Sequence, residues 1–297
     1  MSRILTSVAD LWIGRYAKPN PAAWVQVQAL APAVVVTGAS RGIGRALAHR
    51  FARAGRDIVL IARVREALDV AARDIARDTG VSVHSVALDV TDQDAPHRLD
   101  AALREAGVYA DVLVNNAGIG LAGLFADHSQ EDLERLIAIN ITAATRLMRH
   151  ALAPMLARGR GGILNVGSLG GLVPGPHQAA YYATKAYLIS LTEAVAHEVR
   201  GRGVRIAIVA PGPVETSFHG AMGAEAALYR TIIPSLTADA VARSAYRGFQ
   251  VGRTVIIPGV LPSVGALGVK LLPHAITVPL VGRLLALPRP AEQHDAR

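Results

Sequence analysis

Seven short apolar runs, rich in β-branched residues, alternate along the chain with longer segments of helical period. The runs are Ala33–Thr37, Asp57–Ala62, Val81–Leu88, Val112–Asn115, Gly162–Val166, Val204–Val209 and Thr254–Ile257. Between them lie the helix-period segments Gly44–Ala54, Arg65–Asp78, Gln130–Ala157, Ala179–Arg200 and Ala238–Val251. Strands that are apolar on both faces need cover on both, and the intervening helices supply it. Because such crossovers are right-handed, the pattern predicts a doubly wound parallel sheet, a Rossmann-like three-layer α/β/α architecture. No internal repeat or low-complexity tract divides residues 31–257, so they are expected to form a single domain.

Composition narrows the function. Apolar residues make up 51% of the 297 and charged residues 18%, which is a core-forming balance rather than a disordered one. Basic residues exceed acidic ones by 31 to 23, yet they are spread out and never interleave with aromatics, so no nucleic-acid partner is expected. The absence of cysteine excludes a disulfide scaffold, a thiolate metal site and a cysteine nucleophile. None of the ten histidines forms an H-E-x-x-H set, and no metal is expected.

Two flanks lie outside the alternating core. Residues 1–30 place Ile4, Leu5, Val8, Leu11 and Trp12 at helical spacing, with no uninterrupted signal-peptide core. Residues 258–297 form an apolar, proline-punctuated extension. The uncharged stretch 254–269 is 16 residues long and broken by Pro258 and Pro262, short of the roughly 20 a spanning helix requires. A cytoplasmic protein is therefore expected. The leucines of the extension are costly to expose, so it is expected to pack beside Val214–Pro234 as a pocket wall or a subunit contact. The rival reading is a peripheral membrane anchor, with Lys270 and Arg283 among the leucines.

The first strand runs into Thr37-Gly38-Ala39-Ser40-Arg41-Gly42-Ile43-Gly44 and then a helix. Glycines let a backbone pass close to a pyrophosphate, and the helix start offers free N–H groups and its positive dipole end. The loop is thus a candidate dinucleotide cradle.

Only three of the 31 basic residues are lysine, so each lysine is informative. One of them, Lys185, follows Tyr181 by four positions, a spacing that shares a helix face; seven tyrosines and three lysines give about 0.07 such pairs by chance. A neighbouring ammonium is expected to favour the phenolate and lower a phenol pKa that is ordinarily near 10. That is the tuning a general acid or base needs. Tyr182 stands three residues before Lys185 and is also a helical neighbour, so spacing alone leaves both phenols open.

The glycine spacing resembles that of the short-chain dehydrogenase/reductase family, and the likeness continues through residues 33–257. It includes Asp89-Val90, Asn115-Asn116-Ala117-Gly118, Asn140, Ser168, Tyr181-x-x-x-Lys185 and Pro211-Gly212, in order. The resemblance implies that Ser168 hydrogen-bonds a substrate carbonyl and that Tyr181, rather than Tyr182, donates the proton. It further implies that Lys185 holds the nicotinamide ribose and that Asn140 positions a water in a proton relay. Cofactor contacts are implied for Gly38, Ser40, Arg41, Gly42, Ile43, Gly44, Arg63, Asp89, Val90, Asn115, Ala117, Gly118, Tyr181, Lys185, Pro211, Gly212, Val214 and Thr216. A homodimer or homotetramer is the family's usual assembly.

At the end of the second run, Ala62 stands where an NAD-binding sheet presents an acidic residue, and Arg63 follows it. Arg63 and Arg41 suit a ribose 2′-phosphate, so NADP(H) is the expected cofactor. The segments Leu121–Phe125, Gly170–His177 and Val214–Pro234 are expected to reach the carboxyl ends of the strands. They offer Leu172, Val173, Pro174, Phe218, Met222, Leu228, Ile232 and Ile233, but few charges. A lipophilic ketone, aldehyde or alcohol is the expected substrate. Two other readings share the fold: a non-catalytic NADP(H)-binding regulator, and a lipid-surface protein built on the apolar flanks.

Overall fold

A computed structural model describes residues 10–259 and 272–286. Seven parallel strands form one sheet: β1 (Ala31–Thr37), β2 (Asp57–Ala62), β3 (Val83–Ala87), β4 (Val108–Asn115), β5 (Gly161–Val166), β6 (Val204–Val209) and β7 (Val255–Ile256). Their order is β3-β2-β1-β4-β5-β6-β7, so the direction of winding reverses between β1 and β4. The crevice at the carboxyl ends of those two strands is where an open α/β sheet binds its ligand.

Alternation along each strand builds two cores. Val34 and Val36 of β1, with Ile58 and Leu60 of β2, pack under α1 (Gly42–Ala52), α2 (Arg65–Thr79) and the later helix Ala238–Gln250. Ala33, Val35, Val59 and Ile61 point the other way, toward α3 (Ala95–Glu105) and the helices that follow β4 and β5. Both faces are therefore apolar, and none of these strand residues exposes surface.

The helical segment expected over Gln130–Ala157 is not uniform. It divides into α4 (Gln130–Ile137), a π-helical turn over Ala138–Ala143, and α5 (Ala144–Arg158). Such a turn inserts an extra residue into the helix and commonly marks a functional position. Asn140 lies within it. The next helix, α6 (Ala179–Glu198), runs 20 residues along the sheet, and α7 (Ala238–Gln250) precedes β7.

The flanks attach to opposite ends of the sheet. At the amino-terminal end of β5 and β6, Tyr16 N–H donates to the Gly201 carbonyl (2.7 Å) and Gly203 N–H to that of Ile13 (2.7 Å). The Trp24 indole donates to the Arg158 carbonyl (3.1 Å). At the other end, α8 (His274–Leu285) buries Leu285 against Ala227 and Tyr229. The expected packing of the C-terminal extension beside Val214–Pro234 is thus seen for α8, whereas Leu261, Leu267 and Leu271 lie outside the described residues. Among the described residues, no helix is long and apolar enough to cross a membrane.

Candidate active site

A cavity of about 1410 Å³ opens at the carboxyl ends of the strands. One end is floored by the glycine loop. Gly38 has φ +63°, and a Cβ there would stand 2.9 Å from the Ala117 Cα, so the loop and the β4 exit can touch only without a side chain. Gly42 has φ +58° and opens α1. Arg41 precedes the helix in extended conformation, and no side chain caps the first-turn N–H groups. No acidic residue stands in that turn. Free donors, a positive helix end and a floor with no Cβ make a cradle that fits a dinucleotide phosphate. Arg41 and Arg63 are exposed on the rim of this end. Neither makes an ion pair among the described residues, while Asp89, facing the same end, feels the field of Arg63. Burial opposes ionisation of Asp89, but hydrogen bonds from the Thr91 N–H (2.9 Å) and hydroxyl (2.7 Å) outweigh it and hold the carboxyl below its usual range.

The middle of the cavity carries Ser168, Tyr181 and Lys185. Ser168 follows β5, its hydroxyl accepting from the Gly170 N–H (3.1 Å) and hydrogen-bonding the Tyr181 phenol. Lys185 lies one turn along α6, its Nζ donating to the Val166 carbonyl (3.1 Å) and standing 5.7 Å from the Tyr181 ring centre. The two phenols left open by spacing are separated here. Tyr181 receives the Ser168 contact, whereas the Tyr182 ring wedges against Gly170 and Gly175. The expected lowering of the phenol pKa is not found. Burial dominates and pushes Tyr181 up to about 12, with the Ser168 bond pulling the other way. Burial likewise brings Lys185 down to about 8. Withdrawal from water penalises both charged forms more than their proximity rewards them.

Three residues expected to be catalytic or to hold the cofactor do not reach the cavity wall. Gly44 packs behind the loop, where a Cβ would fall 2.5 Å from the Gly38 carbonyl oxygen, so its lack of a side chain serves close helix–loop packing. Asn115 turns into the sheet: its Nδ2 donates to the Ala144 carbonyl (3.2 Å) and to Asn165 Oδ1 (3.1 Å). Strand alternation is the reason, and its neighbour Asn116 takes the cavity position, bracing the loop through the Thr37 (2.9 Å) and Gly38 (3.0 Å) carbonyls. Asn140 is buried and clasps Ile119, accepting from its N–H (3.0 Å) and donating to its carbonyl (2.9 Å). Its second amide hydrogen goes to the Thr184 hydroxyl (3.0 Å), leaving only a lone pair of Oδ1 for a water.

Asn165 continues from Asn115 to the Thr192 hydroxyl (2.8 Å) and so ties β4, β5 and α6 together below the site. This buried chain sets the height of α6, and with it Tyr181, against the sheet.

The far end of the cavity is apolar. Phe218, Met222, Ile232, Ile233, Val281, Leu284 and Leu285 line it, with Leu172 and Val173. Pro174 and Leu228, expected here, are not part of the wall, and Leu228 is exposed. Gln178, His219 and Tyr229 are among its polar members. Sequence reading passed over Gln178 and Tyr229, although Gln178 stands three residues before Tyr181. Of the charged side chains among the described lining residues, Arg41, Arg63 and Asp89 sit at the glycine-loop end and Lys185 beside Tyr181.

Comparison with known proteins agrees with this geometry. The family model described as short chain dehydrogenase matches residues 32–227. Sulfoacetaldehyde reductase of Chromohalobacter salexigens is 38% identical over 221 residues, 72% of this chain and 86% of that protein. A short-chain dehydrogenase from Sphingobium yanoikuyae, solved in complex with NADPH, superposes with a TM-score of 0.71 at 34% identity, covering 80% of this chain and 92% of its own. The bulky-bulky ketone specific alcohol dehydrogenase of Comamonas testosteroni has a TM-score of 0.67 at 28% identity, covering 83% and 96%. The chain belongs to the short-chain dehydrogenase family, oxidoreductases that use a nicotinamide cofactor.

Proposed function

We propose that this protein reduces a bulky, uncharged ketone or aldehyde with NADPH, using Tyr181 as the proton donor. The observation that carries the reading is the placement of Ser168, Tyr181 and Lys185 between a phosphate cradle and an apolar chamber. Residues 31–257 form the dinucleotide-binding and catalytic unit in this reading, and α8 completes the chamber wall.

The glycine loop, the start of α1, Asp89, Val90, Ala117, Gly118, Pro211, Gly212, Val214 and Thr216 would hold the cofactor, with Arg41 and Arg63 on its 2′-phosphate. When bound, the nicotinamide supplies the hydride that reaches the carbonyl carbon. The chain's own residues handle the proton. Ser168 and Tyr181 donate hydrogen bonds to the carbonyl oxygen, which raises its electron demand. As that oxygen takes on charge, the Tyr181 proton moves to it and the alcohol forms. Lys185 stabilises the phenolate left behind. A phenol held at about 12 stays protonated through the neutral range, which suits donation rather than abstraction. Asn140 is a positioning residue: by clasping Ile119 it fixes the strap that crosses the cavity beside Lys185.

The NADPH complex of the Sphingobium protein and the substrate name of the Comamonas enzyme support the reading. A small anionic substrate, as the name of the Chromohalobacter relative states for that enzyme, needs a counter-charge. Beyond Lys185, the described lining of the far end has no Lys or Arg. The test is a reduction assay of bulky cyclic and aromatic ketones beside sulfoacetaldehyde, with NADPH and with NADH. Turnover of the ketones with NADPH is expected; preference for sulfoacetaldehyde or for NADH would overturn the reading.

A further inference from the structure

The N-terminal flank crosses the turns at the amino-terminal end of the sheet, opposite the cavity. Residues 10–14 are helical, and Ile13 seats them by packing on Gly252, where an added Cβ would meet it at 3.2 Å. Tyr16 is held through its backbone to Gly201, and Asp10 pairs with Arg205. Leu11 and Trp12 continue in sequence the helical spacing of Ile4, Leu5 and Val8, yet they face away from the domain. Leu11 is 73% exposed, Trp12 60% and Tyr16 63%. Large side chains exposed together are costly unless something apolar covers them. The Arg15 guanidinium lies against both rings, 4.4 Å from the centre of Trp12 and 4.6 Å from that of Tyr16. Further cations surround this patch. Arg200 and Arg202 flank Gly201, where a Cβ would meet the Tyr16 ring at 2.5 Å. Arg253 follows Gly252, and Lys18 stands between Ala17 and Pro19, which pack on Gly159. Arg15, Lys18, Arg200, Arg202 and Arg253 are all exposed, and none forms an ion pair among the described residues. Asp10, the one acidic residue of positions 1–30, is already held by Arg205, and Glu198 ends α6 beside them.

We infer that this face docks the protein on a lipid bilayer that carries anionic headgroups. Trp and Tyr rings join an apolar body to a polar tip and settle at headgroup level. Leu11 and Trp12 enter the boundary of the acyl chains, while the long basic side chains reach back to the phosphates. Each cation near the surface adds attraction to an anionic leaflet. Two observations select the bilayer over other covers. A second copy seated about a two-fold axis would set the patch against itself, cation against cation. A nucleic acid would pair with the cations but leave Leu11 and Trp12 bare. Because the flank crosses one end of the sheet and the cavity opens at the other, a docked protein keeps its cavity in water. The inference stands independently of the ketone-reductase reading.

The test is co-sedimentation of the whole chain with vesicles of pure phosphatidylcholine and of equimolar phosphatidylcholine and phosphatidylserine. Wild type should partition onto the anionic vesicles about tenfold or more strongly than onto the neutral ones, and added salt should weaken that binding. Leu11→Ser with Trp12→Ser, and separately Arg200→Ala with Arg202→Ala, should each lower the partition by about tenfold or more. Ile276→Ser with Leu280→Ser, on the exposed face of α8 at the opposite end of the sheet, should leave it unchanged. The chain has two tryptophans, so in Trp24→Phe the emission of Trp12 should shift to the blue on the anionic vesicles. No binding, equal partition on both vesicles, or release by the α8 pair instead of the Leu11 and Trp12 pair would overturn the surface. So would a wild-type oligomer that Leu11→Ser with Trp12→Ser dissociates in light scattering, since the patch is then a contact between copies. Thermal melts check that each variant folds. Should the serine pair at Leu11 and Trp12 fail, the arginine pair and the Trp12 emission carry the same comparison.

Discussion

Lys185 and Tyr181 occupy one face of α6, the ammonium 5.7 Å from the phenol ring centre and bonded to the Val166 carbonyl at 3.1 Å. Both are buried, and both have their charged forms disfavoured. Tyr181→Phe keeps the ring and removes the proton. Turnover should fall by about 10²-fold or more while NADPH still binds. Tyr182→Phe is the matched control and should retain most activity. Steady-state kinetics on folded variants decide it: near-normal turnover in Tyr181→Phe would reassign the donor.

Burial of Lys185 should be measurable as a stability cost. Its folded pKa of about 8 lies below the ordinary value of 10.5, so between those values the unfolded chain binds more protons than the folded one. Stability then rises with pH across that window. Below it, charging the buried amine costs about 3 kcal/mol at most, offset in part by the Val166 bond. Lys185→Met should therefore be inactive yet more stable at pH 7, an advantage that shrinks from pH 8 upward and is gone by about 10.5. Urea melts across that range test it; a less stable Met variant at pH 7 would show the amine to be fully compensated.

Arg63 stands exposed on the rim, where its field reaches Asp89. Arg63→Ala should weaken NADPH by about 10- to 100-fold, the worth of a charge-assisted pair, and change NADH little. Fluorescence titration of both cofactors measures it. If wild type binds NADH as tightly as NADPH, the assignment of Arg63 and Arg41 to a 2′-phosphate is wrong.

Leu285 is buried against Ala227 and Tyr229, and Val281 and Leu284 join it in the cavity wall. Truncation after Gly259 removes this wall. KM for bulky ketones should rise and solubility should fall, since the apolar face on Ala227 and Tyr229 is uncovered. A truncated protein with unchanged kinetics and better solubility would point to a lipid anchor instead.

The layered sheet, the glycine loop and the Tyr181–Lys185 pair are all local patterns. A period of two or 3.6, a turn that needs glycine, and a four-residue helical step are written within a few neighbouring positions, so the sequence alone determined them. Tertiary structure decided what depends on contacts between distant positions. Asn115 turned inward because it meets Asn165 across the sheet, while Asn116 braced the loop through Gly38. Asn140 became a clasp because Ile119 and Thr184 fold onto it from two other segments. Nothing near Gln178 in sequence announces that Tyr229 and His219 will stand opposite it, or that Leu285 will close the chamber over them. The phenol's pKa departs from the expected lowering for the same reason. Spacing reveals the neighbouring charge, but the desolvation that outweighs it exists only once the whole fold has excluded water.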